Sequence, residues 1–384
     1  LHDSPLLGWV QSALQVERPA WALLLAGRLC RRWLQLHESR AILQLLRTLQ
    51  PEEVLANTNL LMCQLWALIM EQQLEQAVIL LEQMQPAQLE LQQDVALPFP
   101  ELENTRQVFT LLIRYFGDAS LSKSQRITQL VVHTELPGLL QPQLLNLYAN
   151  IQYSCGLFGV AREAAQRATL ISRQLDNETQ YQMARSMMML CDFMRGQLDS
   201  AIRQTEMDAA ELRQRMAQRS AGCDPALVNA AAINDCARAY LHYETGDIAD
   251  ADRVLTRAMS GLQMSGMALP LVLARITRAK IMISRDRLQD AETMLAQLDE
   301  LVELQRNTRL QALVCYEKMR LRFYAGQRAD DLIARYDLAS RCVQVETLFL
   351  DEYQEEHLFW LKSKLIAYLM DADFAAASED ALKG

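Results

Sequence analysis

The stretch AYLHYETGDIADA (residues 239–251) predicts two helices joined by a tight turn. Gly246 has no Cβ and can adopt the left-handed backbone conformation that ends a helix. Ile248 would fill the turn, and Ala251 and Ala258 are small enough to let adjacent helices approach closely. The stretch therefore predicts an antiparallel helical hairpin.

The same spacing recurs along the chain. It is clear at Gly156 with Ala161 and at Gly196 with Ala201, and looser copies lie at 74–77 and 288–291. Degenerate copies occur at Gly117, Gly326 and around Ala41. The anchors Ala161, Ala201, Ala251, Ala291 and Asp331 are separated by 40, 50, 40 and 40 residues. A period near 40 exceeds the roughly 34 residues of a tetratricopeptide repeat, so we expect longer helices in a tetratricopeptide-like solenoid.

These repeats predict an all-α fold, a right-handed superhelix of about eight hairpins that forms one domain over residues 1–384. We divide it into N-terminal hairpins at 1–90, middle repeats at 91–225 and C-terminal repeats at 226–384. Irregular connections are expected at 92–100 and 220–225, where proline and glycine interrupt the pattern. Asp224 and Pro225 are suited to begin the next helix.

Composition supports helices and excludes several functions. Hydrophobic residues make up 51% of the chain, with only 13 glycines and 10 prolines. The net charge of −9 argues against direct nucleic-acid binding, which needs a basic surface. No apolar run reaches the roughly 18 residues that a membrane-spanning helix needs. Eight scattered cysteines suggest a reducing compartment. We therefore expect a cytoplasmic protein that does not enter membranes.

The motifs of common catalytic sites are absent from the sequence. None of the six lysines follows a glycine, so there is no P-loop, and no cysteine or histidine pair has zinc-ligand spacing. No nucleophile signature is recognisable. We predict a protein that binds rather than catalyses, without a cofactor or a metal.

Counting back from each turn residue identifies first-helix positions that would face the concave surface of a solenoid. Tyrosine, asparagine and charged residues occupy many of these positions, and such side chains suit polar ligands or peptides. The predicted ligand-binding residues are Asn146, Asn150, Tyr153, Tyr240, Glu244, Lys280, Tyr316 and Arg320. The same count also places Tyr243, Ser284 and Tyr324 on this surface.

Three segments resemble the helical-repeat domain of MalT-type regulators, the ATP-dependent transcription activators of the LuxR family. LLGWV (6–10) with RPAWALLL (18–25) is similar to the entry of that domain, and ALPLVLARI (268–276) is similar to its penultimate repeats. LFLDE (348–352) resembles an element near its end. The resemblance covers nearly the whole chain.

The resemblance implies an effector-sensing and autoregulatory domain. Its partners would be a small-molecule inducer or a regulatory protein, together with the ATPase and DNA-binding domains of a full-length regulator. This chain contains neither a nucleotide-binding nor a DNA-binding domain. The alternative is a tetratricopeptide-type scaffold for protein interactions.

Overall fold

The protein is helical throughout the part that its computed structural model describes. That part comprises residues 5–15, 19–35, 38–71, 73–83, 109–110, 113, 141–218, 225–265, 268–304, 308–341 and 358–371. Within these ranges there is no strand, which confirms the all-α prediction. The predicted connection at 92–100, the hairpin at Gly117 and most of the 220–225 loop lie outside the described residues.

The N-terminal part contains six helices, and a continuous apolar core connects it with the start of the middle part. Trp33, Trp66 and Phe109 are among the buried aromatic residues of this core. The helices are α1 (Pro5–Gln15), α2 (Pro19–Gln35), α3 (Ser39–Leu46), α4 (Pro51–Ala56), α5 (Thr58–Met70) and α6 (Leu74–Gln83).

From residue 141 onward the helices alternate as first and second members of hairpins. First helices also pack on the first helix of the next hairpin. The helices are α7 (Gln141–Ser154), α8 (Phe158–Gln174), α9 (Glu178–Met194), α10 (Leu198–Gln218), α11 (Pro225–Glu244), α12 (Ile248–Ser265), α13 (Ala268–Ser284), α14 (Leu288–Leu304), α15 (Thr308–Tyr324), α16 (Asp330–Arg335) and α17 (358–371). As the sequence predicts, Pro225 begins a helix.

The turns of these hairpins have the predicted backbone. Gly156, Gly196, Gly246 and Gly326 have φ between 61° and 83°, and Asp286 adopts φ 58° at the corresponding place. The small residues in the first turn of the second helices, Ala161, Ala201, Ala251 and Ala291, are completely buried. Backbone conformation at the turn and close helix approach therefore both follow the sequence pattern.

The last of these hairpins differs from the others. Its second helix, α16, has 6 residues, whereas α8, α10, α12 and α14 have 17 to 21. The chain takes a left-handed conformation at Asp337, with φ 47°, between α16 and a further helical stretch at 338–341. Immediately before it, the Tyr336 hydroxyl donates a hydrogen bond to the buried Asp299 carboxylate on α14. That hydrogen bond ties the break between the two helical stretches to α14.

In two successive hairpins, a buried carboxylate of one helix pairs with an arginine of the other. The helix that carries the arginine is the first in one hairpin and the second in the next, so the pair has opposite polarity. In the α9–α10 hairpin, Arg185 of the first helix pairs with Asp208 of the second, 2.8 Å apart. In the α11–α12 hairpin, Asp235 of the first helix pairs with Arg257 of the second, at 2.6 Å. Arg185 and Asp235 each lie 11 residues before their turn glycine. Equivalent positions thus carry opposite charges in neighbouring hairpins.

Candidate binding surface

Aromatic and cationic side chains from consecutive first helices meet on one face of the C-terminal repeats. We call this the first-helix face; it is formed by α11, α13, α15 and α17. Cations and rings alternate along it, with cation-to-ring distances of 5.6 to 5.9 Å. The side chains that form it are Tyr240, Tyr243, Glu244, Lys280, Tyr316, Glu317, Arg320, Tyr324, Phe359 and Lys362.

Lys280 occupies the α11 side of this face. Its Nζ lies 5.7 Å from the ring centre of Tyr240 and 5.6 Å from that of Tyr243. The same ammonium lies 3.6 Å from Glu244 Oε1 and 3.7 Å from Glu317 Oε1. These separations permit strong charge attraction but exceed direct hydrogen-bond length. Lys280 therefore joins three consecutive first helices, α11, α13 and α15, through charge and ring contacts.

Arg320 holds the centre of the face. Its guanidinium carbon lies 5.9 Å from the ring centre of Tyr316 and 5.8 Å from that of Tyr324, and Nη1 donates a 2.7 Å hydrogen bond to Glu317. Burial disfavours the charged form of the Arg320 guanidinium and by itself would lower its pKa. The Glu317 carboxylate and the hydroxyls of Tyr243 and Tyr324 nevertheless raise the pKa of the guanidinium. Arg320 is therefore a fixed cation within the surface rather than a mobile side chain.

Glu317 lies beneath the two cations and has no side-chain exposure. Burial raises the pKa of its carboxyl group, and the charges of Lys280 and Arg320 offset that rise only in part. One of its oxygens, Oε1, has no hydrogen-bond partner. A buried carboxylate is costly unless cations accompany it. Glu317 therefore orients Lys280 and Arg320 from below without itself reaching the solvent.

The C-terminal end of the face is formed by α17. The Tyr316 and Phe359 rings lie 5.7 Å apart, and Lys362 Nζ lies 5.6 Å and 5.8 Å from their respective centres. At the opposite end, Tyr240 makes an edge-to-face contact with Phe193 of α9 at 5.9 Å. Ring contacts therefore join α9 to α11 and α15 to α17, and the cations Lys280 and Arg320 lie between these two groups.

Five of the eight predicted ligand-binding residues meet on this face: Tyr240, Glu244, Lys280, Tyr316 and Arg320. The other three lie on α7. Asn146 is buried, and its Nδ2 donates to the backbone oxygen and the side-chain oxygen of Gln180 at 3.0 and 2.8 Å. Tyr153 packs edge-to-face on Phe158, and the Asn150 carbonyl accepts from Ser154. Asn146 thus connects helices instead of facing the solvent.

The sequence count did not identify Glu317, Phe359 or Lys362. Glu317 lies next to Tyr316, on the side of α15 that faces its neighbours, and only its three-residue spacing from Arg320 hinted at a pair. Phe359 and Lys362 belong to a helix with no turn glycine from which to count. Their part in the surface is visible only in three dimensions.

Within the described ranges, one group of side chains has the spacing of metal ligands. The ligand atoms of His242, Asp247 and Asp250 lie within 4.8 Å of one another, close to the solvent. Local structure already engages both carboxylates. Asp247 accepts from the backbone N–H of Asp250, and Asp250 pairs with Arg253 at 2.6 Å. The group is therefore explained as the start of α12.

Comparisons with known proteins give little guidance. No family model matches the chain, and no curated protein matches it. Among solved structures, the apo form of RapI aligns over 97% of this chain and 98% of its own, with 10% identity and a TM-score of 0.41. Similarity at this level does not establish a common fold.

Among the described helices, none combines the length and apolarity needed to cross a membrane.

Proposed function

We propose that this chain is a helical-repeat scaffold that binds a segment of a partner protein on its first-helix face. The observation that supports this most strongly is the convergence of tyrosines, Lys280 and Arg320 from helices far apart in sequence. Tyrosine and arginine are the residue types that most often dominate binding energy at protein interfaces. In the full proposal, about eight hairpins form a right-handed superhelix, and the face lies on its concave side.

We also propose that the protein binds without catalysis. Two cysteines on first helices, Cys191 and Cys236, are potential nucleophiles that are held as thiols. Burial, with help from the adjacent carboxylates of Asp192 and Asp235, raises the pKa of Cys191 and Cys236 to about 12. Because the thiolate is the reactive form, these groups are poor nucleophiles at neutral pH.

A second candidate function rests on the resemblance to MalT-type regulators. In that case the same face would receive a small-molecule inducer or a regulatory protein, and binding would be transmitted to the ATPase and DNA-binding domains of a full-length regulator. The mixture of rings and charges on the face is compatible with a small polar molecule. No family match supports this candidate, so the scaffold is the leading proposal.

The scaffold proposal can be tested by selecting peptides from a random display library on the immobilised chain. Calorimetry would then compare the selected peptides on wild type, Tyr240→Ala and the control Leu170→Ala. Leu170 is 60% exposed on the second helix α8, away from the proposed face. We expect Tyr240→Ala to weaken binding by about fivefold or more, as removal of an interface anchor does, while Leu170→Ala leaves it unchanged.

Peptides that bind Tyr240→Ala and Tyr316→Ala as tightly as wild type would refute the proposed face. Recovery of no peptide, together with a metabolite that raises the melting temperature in wild type and not in Tyr240→Ala, would favour the inducer-binding alternative. Circular dichroism of each variant would verify that the helices are retained.

A further inference from the structure

Lys362 differs from the other cations of the first-helix face because no carboxylate compensates it. Lys280 and Arg320 each lie within 4 Å of a carboxylate, at 3.6 and 2.7 Å. Within the described part of the chain, Lys362 Nζ contacts only the rings of Tyr316 and Phe359. Its three N–H donors are therefore available to an acceptor from outside.

A second cation lies close to the same ring. Arg320 and Lys362 are both within 6 Å of the Tyr316 ring centre. The carboxylate that compensates Arg320 is Glu317, which has no side-chain exposure and lies under the surface. Among the described residues, the solvent side of this part of the face therefore presents positive charge, although the whole chain is acidic.

We propose that the α17 end of the first-helix face binds a carboxylate side chain of the partner segment, with Lys362 as its principal contact. This inference rests on the proposed scaffold function and names the chemistry of its partner. The ring faces of Tyr316 and Phe359 already hold an ammonium group. A cationic ligand would have to displace Lys362 and approach Arg320, whereas a carboxylate completes the charge balance.

The chain offers a matched control on the same helix. Lys364 also lies beside an aromatic ring, 5.7 Å from the centre of Tyr368, but is two residues away from Lys362 on α17. Because side chains two apart point in different directions around a helix, Lys364 does not share the position of Lys362. Lys362→Glu and Lys364→Glu change the net charge equally, so they separate a local contact from a general change in potential.

The test uses three fluorescein-labelled peptides of about ten residues in which proline alternates with glutamate, glutamine or lysine. Proline keeps them extended and suits aromatic surfaces. Anisotropy at low ionic strength would give their affinities for each protein. We expect wild type to bind the glutamate peptide about fivefold more tightly than the glutamine peptide, the upper range for an exposed ion pair. Lys362→Glu should reverse that order, and Lys364→Glu should preserve it.

The inference is overturned if wild type fails to bind the glutamate peptide more tightly than the glutamine peptide, or if both charge reversals weaken it equally. These outcomes leave the scaffold proposal intact, since that proposal depends on Tyr240 and on peptides selected without regard to charge. Loss of the preference as salt is raised would agree with an exposed ionic contact.

Discussion

Asn146 of α7 and Tyr316 of α15 occupy the same position in two hairpins, each 10 residues before its turn glycine. In the middle repeats, Asn146 is buried and bonded to Gln180 of the next first helix. In the C-terminal repeats, Tyr316 is in the first-helix face with Arg320 and Lys362. The repeat position fixes the direction of a side chain. Whether that side chain joins helices or remains available to a ligand depends on the residue opposite it.

The largest expected effect is a loss of stability when Arg320 of the C-terminal repeats is replaced. Arg320→Ala should destabilise the protein by about 3 kcal/mol, because it removes the direct partner of a buried carboxylate. Lys280 remains near Glu317 and keeps the cost at the lower end of the usual range. Urea denaturation would measure the change.

Arg253→Ala is the control, since Arg253 is 63% exposed and, among the described residues, pairs only with Asp250 of its own helix. It should change stability by less than about 0.5 kcal/mol. An Arg320→Ala variant as stable as this control would show that Arg320 is a free surface residue, as the sequence alone suggested.

A smaller loss of stability is expected when Asn146 of the middle repeats is replaced. Asn146→Ala should cost about 1–3 kcal/mol, because it leaves the two Gln180 oxygens without their donor. It should not change the affinity of peptides selected on wild type. Thermal or urea unfolding together with calorimetry would check both parts, with the exposed Gln166→Ala as a control. Weaker peptide binding in a well-folded Asn146→Ala would place the ligand in the middle repeats and remove the contrast between the two regions.

The pH dependence of stability examines Glu317 directly. Its folded-state pKa is raised by burial, so the folded protein binds this proton more tightly than the unfolded chain does. As pH rises from the unfolded pKa of about 4.3 through the folded pKa, wild type should lose stability relative to Glu317→Gln. The maximum slope is about 1.4 kcal/mol per pH unit.

Denaturation of both proteins at a series of pH values from mildly acidic to neutral would give this difference. If the stability difference between wild type and Glu317→Gln stays constant with pH, Lys280 and Arg320 fully offset burial at this site. If wild type gains stability relative to the variant as pH rises, the two cations outweigh burial.

The smallest effect lies in the turns. Asp286 adopts φ 58°, where its counterparts are glycines. Asp286→Gly should therefore stabilise the protein by up to about 1 kcal/mol, and Gly246→Ala should destabilise it by a similar amount. Melting temperatures would show opposite shifts for the two variants. A loss of stability in Asp286→Gly would indicate that the aspartate side chain itself supports the α13–α14 turn.

Much of the fold could be predicted from the sequence, because its determinants are local. A glycine in the left-handed conformation and an alanine in the first turn of the second helix define each hairpin within a few residues, as at Gly246 and Ala251. The contact of Tyr336 with Asp299, a residue 37 positions earlier, could not be predicted from local sequence. That contact requires the finished packing of α14 against the last hairpin.

The candidate site was predictable only in part. Counting from the turns selected Tyr240, Lys280, Tyr316 and Arg320, because helical geometry repeats in every hairpin. It also selected Asn146, because counting ignores what Gln180 does from the next helix. Glu317 and Lys362 require knowledge of which helices are neighbours. Glu317 supports the surface because it is buried beneath two cations. Lys362 is uncompensated because no carboxylate of the described residues lies near its ammonium group.

The opposite polarity of the Arg185–Asp208 and Asp235–Arg257 pairs has a consequence for how this chain reaches its native state. Similar repeats invite a first helix to associate with the second helix of the wrong hairpin, a common error in the folding of repeat proteins. If α9 packed on α12 in place of α10, Arg185 would meet a helix whose charged residue is Arg257 and would lose its partner Asp208. The mistaken pairing would leave the buried Asp208 without its arginine. We therefore expect these ion pairs to favour the native association of helices in repeats that otherwise look alike.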